Sequence, residues 1–430
     1  MTAIRGSQIR KRIRQGIRKF FSVLPRSVRF EIYRLMVICD PSPEDRLTLK
    51  IAETREELEA CFRLLHDAYV SAGFMKPDPS GMRITMYHAL PTTTTLCAKF
   101  DGEVVGTISM IREGVFGFPL QSIFDLSAVR ARGGQIAEIS ALAVHPKFRK
   151  TSGAILFPMM KFMRQYCAEY FDTHHIVIAV NPDKIELYEA LLFFSRLKEN
   201  VVDSYDFANG APAVGASLDL VAARELSRTG YRGRPVHKNL YKYMFELNLK
   251  NIVLPRRRYH TTNDPVMTPA LLDHFFNRCS PVLDHLEDRK KALLWTIYDS
   301  VEYRAVLPML SAENTTDPKQ LRRYRRYSIR CPGKLIVKRD GVTESIEVDV
   351  IEISFSGCQA ECAKLLPMNE SIEAVIQLGK SEVSNVHARA VRLQDAGDGM
   401  FYGFKIEEPD AVWRDCVAAF EMGQTYMDLD

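Results

Sequence analysis

Two stretches of this sequence gather side chains that do chemistry. "RRYRRYSIR", from Arg322 to Arg330, packs five arginines into nine residues. Guanidinium forks bind phosphate through paired hydrogen bonds and also stack on purine faces. Arginines this crowded repel one another until an anion arrives. Downstream, "EISFSG" (Glu352 to Gly357) brings a serine hydroxyl and a glycine that lets backbone approach closely, completing a pocket for a compact dianion. The second stretch is "IAEISALAV", Ile136 to Val144, where Glu138 stands among apolar residues. A carboxylate on such a strand is costly without a purpose.

The chain that must position these groups has 430 residues, too many for one ordinary core, so two or three domains are expected. Hydrophobic content of 46% with 26% charged residues is that of a soluble globular protein. A net charge of +5 is too mild to imply a nucleic-acid partner. The arginine cluster is local and no aromatic stacking platform accompanies it, so a small dinucleotide suits it better than nucleic acid. Nine cysteines, scattered and without a CxxC pair, argue against a disulfide framework or a zinc site. No metal is expected, and reduced thiols suit the cytoplasm.

No apolar run reaches the roughly 18–20 residues that span a bilayer. Within residues 1–48, "QIRKRIRQGIRKFFSVLP" sets Ile9, Ile13, Ile17, Phe20 and Leu24 at helical spacing among basic residues. That is a basic amphipathic helix stopped by Pro25. It either docks on its own protein or adsorbs to an anionic membrane surface, which would make the chain peripheral on the inner membrane face.

Residues 49–250 read as an α+β layer. A helix is expected over Thr54–Ala72, then a hairpin in "TLCAKFDGEVVGTISMI" that turns at Asp101-Gly102. A strand over Ile136–Val144, a helix over Gly153–Tyr170, the buried strand "HIVIAV", a helix over Asp183–Phe194 and the strand "VGASLDL" follow. Residues 251–318 read as a helical connector ending in the polar linker "SAENTTDPKQ". From 319 to 430 the chain is β-rich. "GKLIVKRDG", "SIEVDVIEIS", "SIEAVIQL", "VHARAVRL" and "MFYGFKI" are strands at barrel-like intervals, and a helix over Ala411–Met422 closes them.

Arg-x-x-x-Arg followed across a β-hairpin by Asp/Asn-x-Ser-x-x-Gly is the pattern of PilZ domains, which this region resembles from about Gln320 to Met422. Arg322 and Arg326, with Arg323 beside them, supply the first element; Ser354 and Gly357 supply the second. The resemblance implies a six-stranded β-barrel that binds cyclic di-GMP. Glu352 stands where the family carries Asp or Asn, one methylene longer, and its carboxylate can still accept from a guanine edge.

"DGEVVGTISMI", "IAEISALAVHPKFRK" and the helix after them resemble the GNAT acyltransferase core. There a splayed strand offers N–H groups to a thioester carbonyl, and the next helix's N-terminus receives a phosphate. The resemblance assigns thioester and phosphopantetheine to Ala143, Val144, Arg149, Gly153 and Ala154, although "RKTSGA" sets Gly153-Ala154 one residue late against the family's turn. It also puts Tyr188, in "NPDKIELYEALLFF", where the family places the general acid for the leaving thiolate.

A longer set, "MRITMYHALPTTTTLCAKFDGEVVGTIS", "FGFPLQSIFD", "AEISALAV", "VNPDKIELY" and "ANGAPAVGASLDL", is similar over about residues 50–222 to the bacterial N-acyl amino acid synthases. These are GNAT relatives of the acyl-homoserine lactone synthases and use long-chain acyl carrier protein thioesters. In that light Glu138 is the base that takes a proton from the incoming amine. The lactone synthases carry an arginine where Ala141 stands here, so recognition of the amino-acid carboxylate is left unassigned. Lys147, Arg149, Lys150, Lys161 and Arg164 are expected around the thioester entrance, where they would steer the acidic carrier protein.

The expectation is a multidomain α+β protein with a GNAT-like acyltransferase core, a helical connector and a PilZ barrel. It would transfer a long-chain fatty acyl group from acyl carrier protein to an amino acid, without a tightly bound cofactor, under regulation by cyclic di-GMP. The alternatives are an acyl-CoA or lactone-forming acyltransferase and a catalytically inactive cyclic di-GMP scaffold.

Overall fold

The computed structural model describes residues 23–114, 116–149, 151–171, 173–255, 259–260, 267–298, 301–309, 326–339, 341–395 and 400–421. The expected amphipathic helix, up to residue 22, lies outside them, as do Lys150, Arg322 and Arg323.

Strand-forming residues in the first half build one eight-stranded sheet. Its order is β1 (Leu47–Ile51), β2 (Thr93–Phe100), β3 (Glu103–Arg112), β4 (Gln135–Val144), β5 (Thr173–Val180), β8 (Ala211–Asp219) and β6 (Ser195–Arg196), while β7 (Val202–Tyr205) pairs β8. Asp101 and Gly102, with φ of 51° and 84°, make the two-residue turn between β2 and β3. The longer described helices of this part, of ten residues or more, are α1 (Arg26–Leu35), α2 (Arg55–Ser71), α3 (Leu156–Tyr170), α4 (Pro182–Leu192) and α5 (Leu220–Gly230). Helix α2 starts at a capping box in which the Glu57 amide donates to Thr54 Oγ1 at 3.2 Å. Helix α4 stops where Phe193 turns left-handed, φ 66°. Helices α2 and α3 pack into separate cores, one with Phe62 and Phe118, the other with Phe162 and Met110.

One pairing decides where a ligand can enter. Strands β4 and β5 are parallel, and their register runs only from Gln135↔Thr173 to Glu138↔Val177. Past Glu138, β4 continues to Val144 without β5 beside it. Its register with β3 slips between Thr107 and Ser109, opposite Ala141, whose φ is 54°. A non-glycine residue held there is a β-bulge that bends the strand away and re-aims its backbone.

Leu272, Phe275, Phe276, Leu283, Leu294 and Tyr298, from the expected connector, are buried in the same core as Leu58 and Phe62 of α2. Phe275 meets the Phe62 ring edge-on with centroids 5.1 Å apart. The apolar faces of these short helices cover α2 because neither surface could stay in water unpaired. Tyr259 is buried in the barrel core, and the His260 amide donates to Leu378 O at 2.8 Å.

The barrel is closed in the order β10 (Val342–Ser354), β11 (Gly357–Cys362), β14 (Met400–Ile406), β13 (Val383–Asp395), β12 (Ser371–Gln377) and β9 (Arg326–Arg339). It has the six strands that the PilZ resemblance implies. Strand β11, "GCQAEC", was not legible as a strand because it lacks β-branched and aromatic residues. Helix α6 (Ala411–Glu421) inserts fully buried Trp413, whose Nε1 donates to Ser354 O at 3.0 Å.

Candidate active site and ligand pocket

The gap between β4 and β5 opens into a cavity of about 270 Å³. Ile139, Ser140, Ala141 and Leu142 line it from β4, Ile178 and Ala179 from β5, Met160 and Met163 from α3, and Tyr188 and Leu192 from α4. The wall is mostly apolar. Ala143 and Val144, expected at the thioester, stand beyond this lining, in register with Thr107 and Gly106 of β3. Arg149 Nε donates to Val144 O at 2.8 Å, which ties the exposed arginine to the end of β4. Gly153 takes a φ of 89°, and the Ala154 amide donates to Thr151 O at 3.1 Å within the turn. No side chain caps α3 at Ile155, so an anion could approach the first turn.

Glu138 is 1% exposed, and its Oε2 accepts from the Leu120 amide at 3.0 Å. Leu120 belongs to a tight turn, Pro119–Ser122, inside the "FGFPLQSIFD" motif. Burial pushes the Glu138 carboxyl up to about 8 against the pull of that hydrogen bond. Successive strand residues face opposite ways, so Glu138 points away from the face on which Ile139 lines the cavity. Buried Tyr87 and Tyr205 share its surroundings. Burial, and then the Glu138 charge, pushes the Tyr87 phenol up to about 12 and raises Tyr205 as well.

His88 is not a competing base: burial, then Arg83, holds it down at about 3, and its Nδ1 accepts from the Thr85 amide at 3.1 Å. Tyr188 sits in the cavity wall with its ring edge-on to Phe194 at 5.9 Å, and burial raises its phenol. Sequence reasoning missed Arg83, Tyr87, Tyr205 and the Leu120 amide. All but Tyr205 lie inside motifs that carried the resemblance, yet nothing local marks them.

The expected basic rim is smaller than the sequence suggested. Lys161 is 1% exposed and donates to Met244 O at 3.2 Å, with burial lowering it to about 8. Arg164 is half-buried, its guanidinium over the Phe245 ring at 4.7 Å, and it lines the cavity. Both fall on the inward side of α3. Lys147 and Arg149 are the exposed cations that remain among the described residues of that set.

In the barrel, Arg326, Glu352, Ser354, Gly357, Arg392 and Lys405 line a second pocket of about 580 Å³. Strand register sets Ser354 opposite both Arg326 and Gly357. Arg326 Nη1 donates to Glu352 Oε1, so the longer carboxylate already occupies the arginine. Ser354 Oγ donates to Gly357 O at 3.0 Å. A Cβ at Gly357 would sit 2.4 Å from Phe404 O, so β11 and β14 approach closely only because the residue is glycine. Arg392 and Lys405 add two cations that no motif signalled.

The splayed sheet and its cavity are those of a GNAT-like acyltransferase, and the closed six-stranded barrel is that of a PilZ domain. Residues 60–219 match the family described as N-acyl amino acid synthase FeeM, and residues 320–420 match the PilZ domain family. The chain is an N-acyl amino acid synthase-like acyltransferase carrying a PilZ domain. Among solved structures it is similar to FeeM, an N-acyl amino acid synthase from uncultured soil microbes, at 25% identity over 42% of this chain and 94% of that one, TM-score 0.35. It is similar to BjaI, a CoA-dependent acyl-homoserine lactone synthase, at 18% identity over 46% of this chain and 98% of that one, TM-score 0.32. The PilZ domain of YcgR from Escherichia coli, solved with c-di-GMP, shares 15% identity over 24% of this chain and 93% of its own, TM-score 0.21. A comparison with curated proteins gave no match.

Proposed function

We propose that the chain joins a long-chain fatty acyl group, delivered as a thioester on the phosphopantetheine arm of acyl carrier protein, to the amine of an amino acid. The observation that carries this reading is the position of Glu138. It is buried, it is the last β4 residue in register with β5, and it immediately precedes the residues that line the apolar cavity.

An amino acid at neutral pH is mostly ammonium and cannot attack. A carboxyl raised to about 8 is ionised in only a minority of molecules at neutral pH, but in that form it is a base strong enough to take that proton. The freed amine nitrogen bonds to the thioester carbonyl carbon and gives up its second proton to water as the amide forms, while the C–S bond breaks and the sulfur leaves as thiolate. Tyr188, whose phenol burial keeps protonated, donates the proton that makes it a thiol and regains one from water, which has taken up the amine's second proton. Backbone N–H groups along the unpaired edge of β4 stabilise the carbonyl oxygen as charge develops. Met160, Met163 and Ile178 receive the acyl tail, the methionines adapting to its shape. The Gly153-Ala154 turn and the uncapped start of α3 receive the phosphate of the arm, beside Arg149, and Lys147 and Arg149 meet the acidic carrier protein.

Cyclic di-GMP is the ligand of the barrel pocket and regulates the transferase. Arg326, Arg392 and Lys405, which line that pocket, face its phosphates. The sequence motif adds Arg322 and Arg323, outside the described residues, as further phosphate-binding cations. No described helix is long and apolar enough to cross a membrane. The basic N-terminal segment, outside the described residues, would hold the enzyme against an anionic lipid surface.

Purified protein tests the chemistry. With acyl carrier protein thioester as donor, thiol release should depend on added amino acid and should be weaker with acyl-CoA. Release independent of any amino acid would sink the reading.

A further inference from the structure

Arg83 is 5% exposed, yet its charge is not matched. Among the described residues no carboxylate forms an ion pair with it. Its Nη2 donates to Phe207 O, while Nε and Nη1 are buried without a hydrogen-bond partner among the described residues. Leaving two guanidinium donors dry is costly unless something completes them. Two rings fix the plane of the group, Tyr69 at 4.1 Å and Phe207 at 5.1 Å from its centre. Its backbone amide donates to Phe62 O at 3.0 Å, which anchors it to α2.

The surroundings say what would complete it. Tyr69, the ring beneath the guanidinium, also lines the cavity between β4 and β5. Tyr205, 2% exposed, has a buried hydroxyl that also lacks a hydrogen-bond partner among the described residues. Tyr205 and Tyr87 each pack a ring on Phe207, at 5.8 and 5.6 Å. The charges of Glu138 and Arg83 both act on the Tyr205 phenol, in opposite directions. A carboxyl base and an open guanidinium fork therefore both stand near Tyr205, around the ring cluster of Tyr87, Tyr205 and Phe207.

We infer that Arg83 binds the α-carboxylate of the acceptor amino acid, with the Tyr205 hydroxyl as a second donor, while the amine faces Glu138. This inference rests on the reading that the acceptor is an amino acid. The planar fork suits a carboxylate bidentately, and the two unpartnered nitrogens are the donors it would use. The missing arginine at Ala141 then has a replacement from a different element. The site selects α-amino acids over simple amines, because an amine would leave the fork empty.

Steady-state kinetics with a long-chain acyl carrier protein thioester test this, comparing L-leucine with isoamylamine and L-phenylalanine with phenethylamine. The unmodified enzyme should favour each amino acid over its amine by roughly a thousandfold or more in kcat/KM. Arg83→Gln should cut that preference by about two orders of magnitude, almost all of it in the amino acid's KM, and leave the amine rate within a few-fold. Tyr205→Phe, which removes only the hydroxyl, should cut it by roughly tenfold.

A preference unchanged in Arg83→Gln overturns the inference, and so does an equal loss with both acceptors, which marks a structural arginine. Should Arg83→Gln fail to fold, the unmodified enzyme and Tyr205→Phe decide. Equal use of amines and amino acids by the former, or an unchanged preference in the latter, overturns it. No transfer to either acceptor by the unmodified enzyme refutes the acyltransfer reading itself, a result distinct from transfer without carboxylate preference.

Discussion

Glu138 stands opposite Val177 at the last rung that β4 and β5 share. One residue on, Ile139 lines the cavity. The parting of two parallel strands thus sets a buried carboxyl and an apolar chamber side by side, on opposite faces of one strand. The bulge at Ala141 keeps the strands apart. A polar residue survives in that core because the Leu120 amide satisfies it.

The raised carboxyl has a consequence for stability. Between 4.5 and about 8 the folded protein holds a proton on Glu138 that the unfolded chain has released. Stability from this group therefore falls as pH rises through that window and levels off above about 8. Glu138→Gln keeps the shape and removes the titration. It should melt higher than the unmodified chain above pH 8, by a difference on the order of a few kcal/mol, and the gap should close toward pH 4.5. Thermal melts across that range check this; parallel curves would mean that Glu138 does not carry the shift.

In the barrel, the ion pair of Arg326 with Glu352 must open before Arg326 can meet a phosphate. Calorimetry on the whole chain should show cyclic di-GMP binding that weakens roughly ten- to hundredfold in Arg326→Ala. Glu352→Gln should tighten binding by about tenfold, since the arginine is released. Weaker binding in Glu352→Gln would instead assign the carboxylate to the ligand itself.

Met160 and Met163 form part of the cavity wall. Met160→Phe should shorten the acyl chains in the product, with total turnover within a few-fold, because volume is lost at the wall and not at the reacting atoms. Chain-length profiles from mass spectrometry read this directly. An unchanged profile would place the acyl tail elsewhere.

What the sequence revealed was mostly local. The helix that starts at Thr54, the Asp101-Gly102 turn and the strand over Ile136–Val144 each rest on residues close in the chain, so pattern alone exposed them. Glu138 was legible because a carboxylate among apolar neighbours is conspicuous. Arg83 and Tyr205 were not, since they are far apart in the chain and meet only when the loop after α2 packs against the end of β7. The inward turn of Lys161 and the docking of Phe275 on Phe62 were hidden for the same reason. Helical periodicity says that a face exists and is silent about what covers it. The Arg326–Glu352 pair needed the β9–β10 register, which a one-residue difference in side-chain length does not announce.

The most direct measurement is mass spectrometry of lipid extracts from cells expressing the intact chain or its Glu138→Gln variant, with both proteins shown to be folded and present in equal amounts. The account predicts N-acyl amino acids in the first extract and their loss in the second, by at least about a hundredfold for removal of a general base. Equal product from both would contradict the role of Glu138. No N-acyl amino acid from the intact chain, with donor and amino acid supplied, would contradict the proposed reaction as a whole.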